Sequence, residues 1–131
     1  MEEKRVFLKL SDEATYTAHT SHGALSVGEK GFKPMELLLT ALAGCSGVDV
    51  YTILKKKRQE VEDIEIEVSG LRRDNHPRVY ERIKLTYRIK GKVDKKAVEQ
   101  AIKLSVEKYC SVYAMLSRVA RIEVDYELWE G

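Results

Sequence analysis

The chain holds two thiols, Cys45 and Cys110, and they are its first candidates for chemistry. A thiol reacts as its thiolate, which attacks electrophilic centres and binds metals. Cys45 sits in the run Ala43-Gly-Cys-Ser-Gly47, small residues in the middle of an apolar stretch. Free cysteine is among the most buried residue types, so Cys45 reads either as a small hydrophobe in a tight helix contact or as a reactive thiol. Its ionisation depends on what surrounds it. A helix dipole acts over the first turn only, and Cys45 lies about three turns in. No cation is adjacent in sequence, and apolar burial favours the neutral thiol. Asp49, four residues on, shares a helix face with Cys45. Its carboxylate opposes ionisation unless it anchors a Lys or Arg that reaches both groups. Apolar turns precede Asp49 on every face, so a buried, paired role is expected for it. Cys110 falls at the end of a second helical pattern, before Ser111. If Ser111 caps a further helix, nearby N–H groups favour the Cys110 thiolate; a core cysteine at a helix junction is the competing reading.

Other reactive types are less suggestive. His19 and His22 lie across a turn with no ligand cluster nearby, and His76 lies in a hairpin loop, so no metal site is expected. Lys55, Lys56, Lys57 and Arg58 lack interleaved aromatics and read as a solvated helix end, not a nucleic-acid site. Tyr109, Tyr113 and Met115 either line an apolar pocket for a substrate tail or pack in the core. A net charge of +2 provides no field for nucleic acid or a membrane surface. The opening Met1-Glu-Glu-Lys-Arg is no signal peptide. Two cysteines without such a signal fit a reducing, cytoplasmic setting, where they are catalytic, redox-active or buried and not a structural disulfide.

The elements that position these residues follow from periodicity. Pro34 to Arg58 reads as one long helix, opened by a proline suited to the first helical position and closed by four cations. It would run roughly 37 Å. From Leu37 to Val48 it carries no charge, which predicts burial on all faces, yet that run is too short to span a membrane. Strands are expected around Val6–Leu10, over Thr15–Thr20 and Ala24–Val27, from Ile64 toward Arg73, over Ile83–Ile89, and over Ile122–Leu128. Asp94 is expected to cap a helix from Lys95 to about Tyr109, with Val98, Ile102 and Val106, or Ala101, Leu104 and Ser105, facing inward. A short third helix is expected from Ser111 to about Val119. The order is that of an α+β fold, in one domain over 1–131, with about six strands in an antiparallel sheet. Such a sheet covers one side of the long helix. Its remaining apolar surface predicts a homodimer, with Gly44 and Gly47 permitting close approach; a helix folded back at Gly47 is the alternative that would shorten the element.

The stretch Gly31-Phe-Lys-Pro-Met-Glu-Leu-Leu-Leu, then Ala41-Leu-Ala-Gly-Cys45, and later Glu107-Lys-Tyr-Cys110, resembles the OsmC/Ohr family of osmotically inducible and organic-hydroperoxide-resistance proteins. Within it, PME–L and GCS–DV around the first cysteine and EKYCSV around the second resemble the YhfA-like branch. The resemblance implies an intertwined α+β homodimer, a site at the subunit interface and no cofactor. It implies that Cys45 is a peroxidatic thiol that attacks a hydroperoxide and becomes a sulfenic acid. Cys110 would then resolve it to a disulfide, which an external dithiol or thiol reduces. The peroxidases of the family place a Glu ten residues before the thiol; here that position is Met35. Glu36 is the next residue, about 100° away around a helix, and with Asp49 is a candidate for electrostatic support. The family's arginine comes from the N-terminal strands, but no Arg lies between Arg5 and Arg58. Arg5, Lys33, Arg78 or a partner chain would have to supply the cation. These departures leave a second reading open: a non-enzymatic module of the same fold holding a small apolar ligand, or a redox stress sensor.

Overall fold

The computed structural model describes residues 1–130. Its elements run β1 (Phe7–Asp12), β2 (Thr15–His19), β3 (Ala24–Gly28), α1 (Pro34–Lys56), β4 (Glu60–Arg72), β5 (Tyr80–Lys92), α2 (Lys95–Leu104), a π-helical turn (Ser105–Tyr109), α3 (Ser111–Leu116) and β6 (Arg121–Trp129). The expected α+β order is therefore present. The six strands form two three-stranded sheets, β1-β2-β3 and β4-β5-β6, in place of one. Nor is every pairing antiparallel: β5 and β6 run parallel, from Arg82↔Arg121 to Lys90↔Trp129. A parallel pair needs a long crossover, and here α2, the π turn and α3 supply it.

The chain divides into two compact units, 1–38 and 39–131. In the first, β2 is the middle strand of its sheet, and β1 is exposed along its whole length despite Phe7, Leu8 and Leu10. His19 pairs with Phe7 across the strands and stacks on its ring, with centroids 6.2 Å apart.

The core of the second unit is built on β5. Its alternation predicts one buried face, and Ile83, Leu85, Tyr87 and Ile89 are at most 1% exposed. Ala97, Val98, Ala101 and Ile102 of α2 are also buried, so the inward face draws on both expected sets; Leu104 is exposed. Asp94 stands at the N-cap of α2 but makes no side-chain capping bond; instead its carbonyl accepts the N–H of Val98 at 3.1 Å. Its own N–H donates to Oε1 of Gln59.

The long helix is one continuous element, ending at Lys56 and not Arg58. Its end is a Schellman motif. The Arg58 N–H donates to the Lys55 carbonyl and the Gln59 N–H to the Leu54 carbonyl, both at 3.0 Å. Arg58 takes the left-handed position (φ 58) that glycine usually fills. Burial of α1 corrects the all-round expectation. Only Leu42, Ser46, Val50 and Leu54 are fully buried, a stripe at i, i+4, i+8 and i+12. Val48 is 66% exposed and Tyr51 50%. An uncharged helix face leaves the solvent only where something packs on it, and within the chain only this stripe is fully covered. By length and composition α1 as a whole could cross a membrane. Its stripe, however, is packed inside the protein, as in the core helix of a folded domain.

Candidate active site

Folding brings Cys45 and Cys110 together. Both are free thiols, and they lie close enough for Cys45 to act on the ionisation of Cys110. Cys45 is only half-buried, because it lies about 100° around α1 from the buried stripe that Ser46 occupies. Cys110 is the buried partner, 3% exposed.

The π turn delivers Cys110. The Cys110 N–H donates to the Ser105 carbonyl at 2.7 Å, the i→i+5 bond of a π turn, and the chain then leaves helical geometry at Cys110 (φ −78°, ψ 99°). Cys110, not Ser111, is the N-cap of α3: its Sγ accepts the Tyr113 N–H at 3.3 Å. That bond favours the thiolate, as expected. Burial outweighs it, however, and with the neighbouring Cys45 and the charge of Asp49 pushes the Cys110 thiol up from 9.0 to about 11. Of the two readings of Cys110, its burial and raised pKa favour the core cysteine at a helix junction over the activated thiol.

Asp49 holds no Lys or Arg by any hydrogen bond seen among the described residues. Its Oδ2 accepts from Ser105 Oγ at 3.0 Å. Ser105 Oγ lies 2.8 Å from Ser46 Oγ, which hydrogen-bonds the Tyr87 hydroxyl. Ser46, Ser105 and Tyr87 are all completely buried. Burial pushes the Tyr87 phenol up to about 12; the Ser46 bond opposes this, while Cys110, Asp49 and Tyr113 add to it. The two thiols therefore sit against a buried chain of hydroxyls that ends on a carboxylate. Ser105 is among the residues expected to face inward, but the sequence assigns no role in the site to Ser46, Ser105 or Tyr87. Their signal was position: Ser46 interrupts the Leu42–Val50–Leu54 stripe with a hydroxyl, and Tyr87 does the same on the inward face of β5.

Other expected residues stand as follows. Glu36 is exposed in the first turn of α1, in the first unit. The cation candidates have bonds of their own: Arg5 to Glu3 at 3.4 Å, Lys33 Nζ to the Gly28 and Glu29 carbonyls, and Arg78 Nε to the Arg73 carbonyl. Gly47 permits a close approach within the chain, since a Cβ there would meet Ile66 Cδ1 at 2.7 Å; Gly44 faces open space. Tyr109, with Val48, Asp49, Ile53, Leu104 and Lys56, lines a groove of about 510 Å³. Met115 is 74% exposed. No group of three or more His, Cys, Asp or Glu side chains gathers as metal ligands among the described residues.

Comparison with known proteins identifies the family. The family model for OsmC-like proteins matches residues 27–125. Protein YhfA of Escherichia coli K12 is 42% identical over 102 residues, 77% of this chain and 76% of its own length. A hypothetical protein of Aquifex aeolicus VF5 superposes with a TM-score of 0.98 at 54% identity, covering 100% of this chain and 99% of that one. An organic hydroperoxide resistance protein OsmC from Legionella pneumophila shares the fold, with a TM-score of 0.72, 11% identity, and coverage of 97% and 98%. The family model's match and the YhfA identity agree: the chain belongs to the OsmC/Ohr family.

Proposed function

We propose that the protein is a thiol-dependent peroxidase that reduces organic hydroperoxides in the cytoplasm as a homodimer. The observation that carries this is the nearness of two free thiols far apart in sequence, one partly exposed and one buried, with Cys45 acting on the ionisation of Cys110. The Cys45 thiolate attacks the O–O bond, the alkoxide leaves as an alcohol, and Cys45 becomes a sulfenic acid. Cys110 displaces its hydroxyl as water to form the disulfide, and an external dithiol or thiol reduces the pair. The groove beside Asp49 offers Val48, Ile53 and Leu104 to an apolar substrate tail. The dimer reading is supported by the uncovered face of α1, with Val48 and Tyr51 at least half exposed and open space beside Gly44.

A second reading is a ligand-binding module or redox sensor of the same fold. Met35 at the family's glutamate position and the high Cys110 pKa favour it, since both slow turnover. One experiment separates the two. Reduced protein is treated with cumene hydroperoxide and with hydrogen peroxide, and thiol loss and mass are followed for wild type, Cys45→Ser and Cys110→Ser. The peroxidase reading expects fast loss of both thiols with loss of two hydrogens in wild type. It expects sulfenic or sulfinic acid on Cys45 in Cys110→Ser, and no reaction in Cys45→Ser. Intact thiols in excess hydroperoxide overturn it and leave the binding module.

A further inference from the structure

Pairing of Cys45 with Cys110 depends on where the π turn sits against α1. The buried stripe of that helix is Leu42, Ser46, Val50 and Leu54. Apolar burial is non-directional, whereas a hydrogen bond holds only over a narrow range of distance and angle. We propose that Ser105 is the positioning residue of the thiol pair: its carbonyl holds Cys110, and its hydroxyl, bonded to Ser46 and Asp49, fastens that carbonyl to α1 beside Cys45. The proposal rests on the Cys45–Cys110 pairing of the proposed function and assigns the residue that sets its geometry.

Ser105 reaches Cys110 through the backbone. Its carbonyl accepts the Cys110 N–H at 2.7 Å. Were α2 to continue as an α-helix, Tyr109 would take that bond, and Cys110 would lie about 140° around from Ser105. The wider π turn returns Cys110 to the Ser105 carbonyl instead. Burial follows the same division: Ser105 is fully buried and Cys110 is 3% exposed, while Tyr109 is 50% exposed.

Ser105 reaches α1 through its hydroxyl. That group has one hydrogen, which it donates to Asp49 Oδ2 at 3.0 Å. Toward Ser46 it can therefore only accept, so Ser46 Oγ donates to Ser105 Oγ across 2.8 Å. Ser46 has then no hydrogen left, and the Tyr87 hydroxyl donates to Ser46. Bonds aligned head to tail polarise one another. Ser46 follows Cys45 in the chain, and Asp49 lies about one helical turn beyond Cys45. Ser105 thus holds α1 at the residue after the thiol and at the residue one turn on. A buried serine is costly to desolvate and adds little apolar area, so its contribution lies in these directed bonds. All of these groups belong to the second compact unit.

Positioning of this kind acts on the disulfide equilibrium and not only on folding. With the disulfide open, the hydroxyl bonds hold the π turn in the paired place. With it closed, the disulfide holds the turn by itself. Removing the hydroxyl therefore loosens the open state more than the closed one, and the pairing constant falls by the fraction of time the turn keeps its place. The reaction balances in a glutathione buffer. Oxidised glutathione loses its S–S bond and takes two electrons and two protons from the thiols of Cys45 and Cys110. The products are two molecules of reduced glutathione and one protein disulfide.

Reduced full-length protein is equilibrated at neutral pH in glutathione buffers of graded ratio, quenched with acid and alkylated, and the disulfide fraction is read by mass. Ser105→Ala is expected to lower the pairing constant about tenfold, a potential about 30 mV less reducing. Asp49→Ala removes one of the two bonds and leaves that to Ser46, so it should lower the constant by less. Ile89→Val trims a fully buried side chain paired with Ile64 and Leu128. It lowers stability as any core truncation does, but should leave the constant unchanged. An unchanged constant in Ser105→Ala overturns the proposal. So does an equal fall in Ile89→Val, or a wild-type chain whose thiols do not pair. Should Ser105→Ala show no cooperative melt, Asp49→Ala decides: a lower constant supports the proposal, and an unchanged one overturns it. No hydroperoxide enters the assay, so a wild type that pairs its thiols yet is inert to hydroperoxide removes the peroxidase reading alone. Paired thiols with an unchanged Ser105→Ala constant remove the role of Ser105 alone.

Discussion

The Ser46 hydroxyl makes a prediction that tests the buried chain in the folded protein, apart from any chemistry. Ser46→Ala removes the acceptor of Tyr87 and the donor to Ser105 in one step. Both partners are completely buried, so water cannot replace the missing group. A stranded buried donor costs about 1–3 kcal/mol, and the lost bond to Ser105 adds about 1 kcal/mol, for a sum of roughly 2–4 kcal/mol. Tyr87→Phe removes the donor and leaves only an unsatisfied lone pair on Ser46, at about 1–2 kcal/mol. In the double variant nothing is stranded between the two positions, so its cost should fall below the sum of the single costs by about 1–2 kcal/mol. Urea unfolding at neutral pH and one fixed protein concentration measures all four corners of this cycle, since an oligomer's stability depends on concentration. The midpoint should shift without a change of slope. A Ser46→Ala cost under about 0.5 kcal/mol, or strict additivity of the two substitutions, would falsify the existence of the chain.

Two further predictions follow from the same geometry. Cys110 and Tyr87 both have raised pKa values in the folded state, to about 11 and about 12. Each then binds its proton more tightly folded than unfolded, so stability is full below the unfolded pKa and is lost as pH rises. The decline should span pH 9.0 to about 11 for Cys110 and pH 10.0 to about 12 for Tyr87. Urea titrations from neutral to alkaline pH should show it, and Cys110→Ala and Tyr87→Phe should each flatten their own part; an equally steep decline in both variants refutes the assignment. Gly44 faces open space within the chain. If a second copy covers that face, Gly44→Leu should weaken the dimer at least about tenfold, or about 1.4 kcal/mol. Sedimentation velocity over a concentration series reads this, and an unchanged dimer places the interface elsewhere.

Much of this protein is legible along the chain because it depends on local period and chemical type. The alternation of Ile83, Leu85, Tyr87 and Ile89 predicts a strand with one buried face, and that face is the core. The proline at residue 34 and the cations at 55 and 56 bound α1 within two residues of where it ends. The contexts of Cys45 and Cys110 carried the family resemblance, which the family model's match and the YhfA identity bear out. Spacing also put Asp49 one turn from Cys45, on the same face.

What the chain could not disclose is the set of properties that arise when distant segments meet. An uncharged helix looks the same from every side in sequence. Which stripe is buried depends on where β5 and the π turn press against it, and they chose Ser46 over Cys45. A Lys or Arg on Asp49 is the one arrangement in which its charge would not oppose ionisation of Cys45. The fold answers with a hydroxyl from the π turn, since a neutral donor satisfies a half-buried carboxylate without bringing a second charge out of water. Of the two readings open for Cys110, a thiol activated by a helix N-terminus and a core cysteine, the burial favours the second. The favourable N–H contact is a local feature that sequence can suggest, whereas the burial that overrides it is a sum over the whole unit. Local order is written in neighbours; solvation and the meeting of Cys45 with Cys110 belong to tertiary packing alone.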